Sequence, residues 1–241
     1  MDVDLPVPSR ALAVAAHPDD IEFGCGATLA KWSSLGCEVH YVVCTDGSKG
    51  SWDPDEDTAR LVATRQGEQR AAARALGAKG EVVFLGWTDG ELEAGQVQRG
   101  QVAFWIRRLR PEVVLGHDPW KRYRLHPDHR QAGFLVTDGL VAARDPHFFP
   151  EHSAAPHRPS KLLLWEADDP DHVENVQGFA EAKLRAILEH RSQFRSTMHI
   201  EDPGAEEEVA AFRRRILERL GEHGALAGLV QGEAFKALHR L

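Results

Sequence analysis

Cysteine is scarce in this 241-residue chain, and its scarcity is the first restriction on what the protein is. Cys25, Cys37 and Cys44 are odd in number and form no C-x-x-C pair, which excludes a disulfide-stapled scaffold. They read as small core-filling side chains. No run approaches the ~18 apolar residues of a membrane span, so no membrane partner is expected. Residues 1–8 are acidic and contain proline where an export signal needs a basic stretch and then an apolar one, so a cytoplasmic location is expected. Basic excess is missing too. Lys and Arg number 29 against 37 Asp and Glu, a net charge of −8, which is not the footprint of a nucleic-acid binder. The basic run Arg213-Arg214-Arg215 lies among glutamates and reads as a solvated, salt-bridged helix face. Internal repeats, low-complexity tracts and flexible linkers are all absent, so a single domain over residues 1–241 is expected.

Hydrophobic residues make up 42% of the chain, enough for a substantial core. Strand-like runs at 10–16, 38–44, 81–85 and 112–115 alternate with helical patterns at 27–35, 58–76, 96–109 and 130–143. Such alternation predicts an α/β fold, a mostly parallel sheet with helices on both faces. Further on, 161–165 reads as a strand and 180–190 and 205–220 as helices. Residues 145–159, with four prolines and three histidines, read as a long surface loop that borders the binding pocket. Ligands of such sheets bind beyond the carboxyl ends of the strands. His17 and Asp20, Thr45-Asp46-Gly47 and the segment from His117 to His129 all follow strands and should meet there.

Two strings carry the chemistry: His17-Pro18-Asp19-Asp20 and His126-Pro127-Asp128-His129. Each alone has a plain structural reading. Asp19 or Asp20 serves as an N-cap for the helix that follows, and the second string is two of 13 histidines at a surface. Their conjunction, each beyond a strand in an α/β pattern, offers imidazoles, carboxylates and spare proton carriers together. That is the donor mix of a catalytic zinc, three protein ligands with one position left open. Proline stiffens both turns. Pro127 at the first helical position makes His126 the N-cap and puts His129 in the first turn, where the helix dipole favours a neutral imidazole.

At this point the sequence resembles the LmbE-like (PIG-L) N-acetylglucosaminyl deacetylase family. The block AVAAHPDDIEFGCGATLAKWSSLGCEVHYVVCTDGSKGS resembles the family's N-terminal signature, with Ile21 where many members carry Glu. Thr64-Arg65-Gln66-Gly67-Glu68 resembles its R-x-x-E helix, and His117-Asp118-Pro119-Trp120 followed by the second string its third block. Lys183 to Gln193 resembles its K-x-x-A-L-x-x-H-x-S-Q element, with Ile187 in place of Leu. The resemblance implies a Rossmann-like fold and a zinc-dependent deacetylase, with ferrous iron as the alternative metal. It implies His17, Asp20 and His129 as metal ligands and Asp19 as general base. His126 would protonate the leaving amine or steady the oxyanion, and Arg65 would contact the substrate. Asp118 and Asp128 would orient the histidines. The implied substrate is an N-acetylglucosamine-type amino sugar or glycoconjugate, and the implied assembly a homo-oligomer, trimer or hexamer.

Three rival expectations stand beside this one. An amidase for a larger amide, such as a thiol conjugate, would use the same scaffold. A nucleotide-binding module would use Gly24-Cys25-Gly26 as a phosphate loop and Asp46 as the acid closing the second strand, though that glycine pattern is incomplete. A catalytically silent metal-binding protein would have no use for Asp19 and His126.

Overall fold

A computed structural model describes residues 1–239 and 241. The strands are β1 (Asp2–Val3), β2 (Arg10–Ala15), β3 (Glu38–Thr45), β4 (Val82–Trp87), β5 (Val113–His117), β6 (Lys161–Trp165), β7 (His172–Asn175) and β8 (Gly232–His239). The helices are α1 (Asp20–Ser34), α2 (Thr58–Ala75), α3 (Gln96–Leu109), α4 (Pro127–Arg144), α5 (Ala180–Ile187) and α6 (Glu206–Ala225). One eight-stranded sheet runs in the order β1-β7-β8-β6-β5-β2-β3-β4. Every pairing is parallel except those of β8, which is antiparallel to both β6 and β7.

β2 shows why helices cover both faces. Its alternate residues Ala11, Ala13 and Ala15 pack with Ile21 and Leu29 of α1 and Ala72 of α2. Leu12 and Val14 point the other way, onto Val102 and Ile106 of α3 and Leu135 and Val136 of α4. A strand buried on both faces reads as a continuous apolar run. The chain leaves β2 towards β3 and β4, then returns to build β5 and β6 on its other side. The strand order therefore reverses between β2 and β5, where such sheets open a crevice.

Two expectations change here. α1 begins at Asp20 and not at residue 27, passing through a kink at Cys25 (φ −147°, ψ 20°). Gly24 sits on the ring of Trp165, where an added Cβ would lie 2.7 Å from the indole. The Gly-Cys-Gly sequence is thus a close helix–sheet contact and no phosphate loop. Residues 145–159 do form irregular chain, but the loop packs away from the pocket. Arg107 ties it to α3 and α4 by donating to the carbonyls of Ala142, Ala143, Asp145, Phe148 and Phe149. Among the described residues, none of this loop lines the cleft where the two strings meet; Phe149, Glu151 and His152 border a separate cavity with α3.

Candidate metal centre

The two strings meet at the β2/β5 switch point. His17 and Asp20 follow β2, and His129 lies in the first turn of α4, whose N-cap is His126 with Pro127 at its first turn. The donor atoms approach pairwise: His17 Nδ1 to His129 Nε2 is 3.2 Å. His17 Nδ1 to Asp20 Oδ2 is 3.3 Å, and His129 Nε2 to Asp20 Oδ1 is 3.2 Å. A tetrahedron with bonds of roughly 2.0–2.1 Å has edges of about 3.3–3.4 Å, and each pair of these residues approaches to that spacing, His17 meeting Asp20 Oδ2 and His129 meeting Asp20 Oδ1. His126 joins His17 and His129 in another converging set of donors. Its ring centroid is 4.5 Å from that of His17, and it is exposed to the cleft.

The surroundings also ask for a cation. Burial would lower the pKa of His17, but hydrogen bonds to Asp128, Asp20 and Asp89 raise it well above the ordinary imidazole value. A divalent ion meets the same demand with the imidazole neutral. His17 Nε2 lies 3.1 Å from both Asp89 Oδ1 and Asp128 Oδ2, an outer carboxylate pair that directs Nδ1 inward. Asp128 is itself pinned by the amides of Gly90 and Leu92, and Asp89 by the amide of Lys49.

Asp19 occupies the N-cap of α1, yet its side chain makes no capping bond. Its φ of 106° is one an L-residue rarely adopts, a strain of order 1–3 kcal/mol that persists only where neighbours enforce it. The neighbours are Gln69, whose amide oxygen accepts the Asp19 N–H at 2.9 Å, and Arg65, which donates to the carbonyls of Pro18 and Gly47. Burial pushes the Asp19 carboxyl up to about 6, against the pull of Arg65 and with the repulsion of Asp20. The Arg65 guanidinium is 3.6 Å from Asp19. Arg65 borders the cleft and gives Nη2 to the turn that carries the base and Nη1 to the loop after β3, while its Nε has no partner among the described residues. His126 is lowered by burial and by His17 and His129 beside it. His17, Asp19, Asp20, Arg65, Asp89, His126 and His129 open on one cleft of about 470 Å³, with Asp128 and Gln69 buried behind them.

The sequence-predicted ligands, base, acid and substrate contact converge: His17, Asp19, Asp20, Arg65, His126 and His129 all line this cleft. Asp118 does not join them. Its carboxylate accepts the amide of Trp120 and orients no site histidine. Asp46 accepts the amides of Ser48 and Asp89 on Oδ1, which ties the turns after β3 and β4 together. Asp89 and His117 went unassigned from sequence. Asp89 had a readable signal, because Thr88-Asp89-Gly90 ends β4 just as Thr45-Asp46-Gly47 ends β3. The C-terminal element is a clasp. His190 contacts Glu22, Ser192 binds Glu68, and Gln193 donates to the Gly50 carbonyl on the loop that walls the cleft.

Residues 12–140 match the PIG-L profile, described as GlcNAc-PI de-N-acetylase. The chain belongs to the PIG-L family. Diacetylchitobiose deacetylase of Thermococcus kodakarensis is 35% identical over 188 residues, 77% of this chain and 70% of the relative. The 1D-myo-inositol 2-acetamido-2-deoxy-alpha-D-glucopyranoside deacetylase of Streptomyces avermitilis is 35% identical over 174 residues. That match takes in 61% of this chain and 58% of the relative. The structure of N,N'-diacetylchitobiose deacetylase from Pyrococcus horikoshii superposes with a TM-score of 0.86 at 30% identity, covering 96% of this chain and 84% of that one. PIG-L membership makes the chain an amide hydrolase of the deacetylase class on the expected α/β scaffold. Among the described residues, no helix is long and apolar enough to cross a membrane.

Proposed function

We propose that this protein is a zinc-dependent deacetylase of an N-acetylglucosamine-type sugar or its conjugate. The observation that carries the reading is the convergence of His17, Asp20 and His129, whose donor atoms approach pairwise to 3.2–3.3 Å through both Asp20 oxygens, beside Asp19 on the cleft. When bound, zinc supplies Lewis-acid activation of water and of the amide carbonyl. Asp19, held in place by Gln69 and Arg65, takes the proton of the attacking water and returns it towards the leaving nitrogen. His126, with no side-chain hydrogen bond among the described residues, is free to donate to the amide oxygen or to the amine. Arg65 keeps the base turn in place and presents one edge to the substrate. The deacetylase names of its relatives support an acetylated amino sugar as the substrate. Residues 1–241 act as one domain in this reading, since β8 near the C-terminus pairs inside the sheet between β6 and β7. A cytoplasmic homo-oligomer, trimer or hexamer, completes the proposal, and light scattering of the purified protein checks the assembly.

Metal analysis of the purified protein followed by an amine-release assay tests the function. About one zinc per chain and free amine from N-acetylglucosamine or its disaccharide are expected. Zinc without amine release from any sugar transfers the reading to the amidase of a larger conjugate. Failure to take up zinc or ferrous iron removes it.

A further inference from the structure

His117 ends β5 beneath the metal centre and is 1% exposed. On one side, the indole N–H of Trp165 donates to its Nδ1 at 3.0 Å. On the other, its Nε2 lies 3.2 Å from Asp20 Oδ2. An indole nitrogen can only donate, so His117 Nδ1 must accept, and the ring proton of a neutral imidazole falls on Nε2. That proton faces Asp20. The amide of Ala16 also faces Nε2, but at 3.5 Å it is too distant to compete. The His117 ring further stacks on His129, centroids 4.5 Å apart and planes within 14°.

We infer that His117 is a positioning residue for two metal ligands at once, its tautomer set by Trp165. Its Nε2–H occupies Asp20 Oδ2, which also accepts the His17 amide at 2.7 Å. Asp20 Oδ1 is left facing His129, while Oδ2 also lies 3.3 Å from His17 Nδ1. Its ring face fixes the plane of His129. His126 also stacks on His129, centroids 4.9 Å apart, but it is exposed to the cleft, whereas His117 is buried and touches both ligands; outer groups of this kind govern how tightly a site holds its ion. The close seat of Gly24 on Trp165 belongs to the same arrangement, since it holds the indole where its N–H meets His117.

The inference rests on the metal reading above, and the experiment separates the two. Nitrogen-15 NMR of the metal-free protein, labelled at histidine, reads the His117 tautomer directly. The expected result is a proton on Nε2 and a hydrogen-bonded acceptor at Nδ1, and a proton on Nδ1 overturns the inference. Zinc affinity by chelator competition is then compared among wild type, His117→Phe and His117→Gln. His117→Phe keeps the ring but removes the donor and should weaken zinc about 10–100-fold. His117→Gln restores an N–H near the Nε2 position and should recover most of that loss. Equal affinity in wild type and His117→Phe overturns the inference alone. Wild-type protein that binds no metal overturns the metal reading and the inference with it. If His117→Phe does not fold, the wild-type tautomer decides.

Discussion

At the scale of single residues, the centre separates groups that hold from groups that move protons. His129 and Asp20 face each other within 3.2 Å, whereas Asp19 points to Arg65. Asp19→Asn should therefore retain wild-type zinc in metal analysis while turnover falls by about 10²–10⁴-fold, the usual share of a general base. Near-normal turnover would sink the base assignment. His129→Ala should instead lose the metal, read by the same analysis. Gly24→Ala places a methyl group 2.7 Å from the Trp165 ring. Such overpacking costs about 1–3 kcal/mol, measurable in urea unfolding, and in the folded protein it should disturb the His117 tautomer signal.

Elements are joined by buried ion pairs whose titration is a stability statement. Glu174 of β7 accepts the Leu5 amide and meets Lys31 of α1 and His172, which anchors the N-terminal strand. Burial would raise its carboxyl, but the His172 bond, the Lys31 ammonium and the Leu5 amide bring it down to about 2 from an ordinary 4.5. Because the folded value is depressed, the contribution is complete above pH 4.5. As the pH falls from there towards 2, the unfolded chain takes up a proton that the folded one refuses, and on the order of 2–3 kcal/mol is lost. Unfolding free energies measured between pH 7 and 3 should fall less steeply in Glu174→Gln than in wild type; parallel curves would contradict this. Local sequence signals are weakest at the scale of elements. β1, β7 and β8 went unseen, because β8 pairs with residues some 60 to 80 positions away and nothing local marks that pairing. The Gly-Cys-Gly run reads locally as a break, so the pattern places the start of α1 at residue 27, whereas packing on Trp165 accommodates the run as a kink within Asp20–Ser34.

Over the whole molecule, the last strand closes the structure around the site. Glu233 of β8 receives Lys183 of α5 and the amides of Ala27 and Thr28 in α1, and Lys183 also reaches the Phe23 carbonyl. Glu233→Ala leaves a buried ammonium without its partner and should cost about 3–5 kcal/mol in guanidinium unfolding. A loss below 1 kcal/mol would show that solvent reaches this pair. The sequence by itself determined the parallel α/β frame and pointed to six of the residues that line the cleft, Arg65 among them only through the family resemblance. Periodicity and the two His-Pro-Asp strings are local signals, and parallel strands must deliver their carboxyl ends to one edge. It did not determine which groups support those residues. His117, Asp89, Gln69 and Trp165 come from β5, the β4 turn, α2 and β6, and they meet His17, Asp19 and Asp20 only after the sheet has formed. Nor could it show that the 145–159 loop lies elsewhere, since the direction of a loop depends on where Arg107 finds carbonyls. Hydrogen bonds between distant positions are selected by packing, and only the tertiary structure decides them.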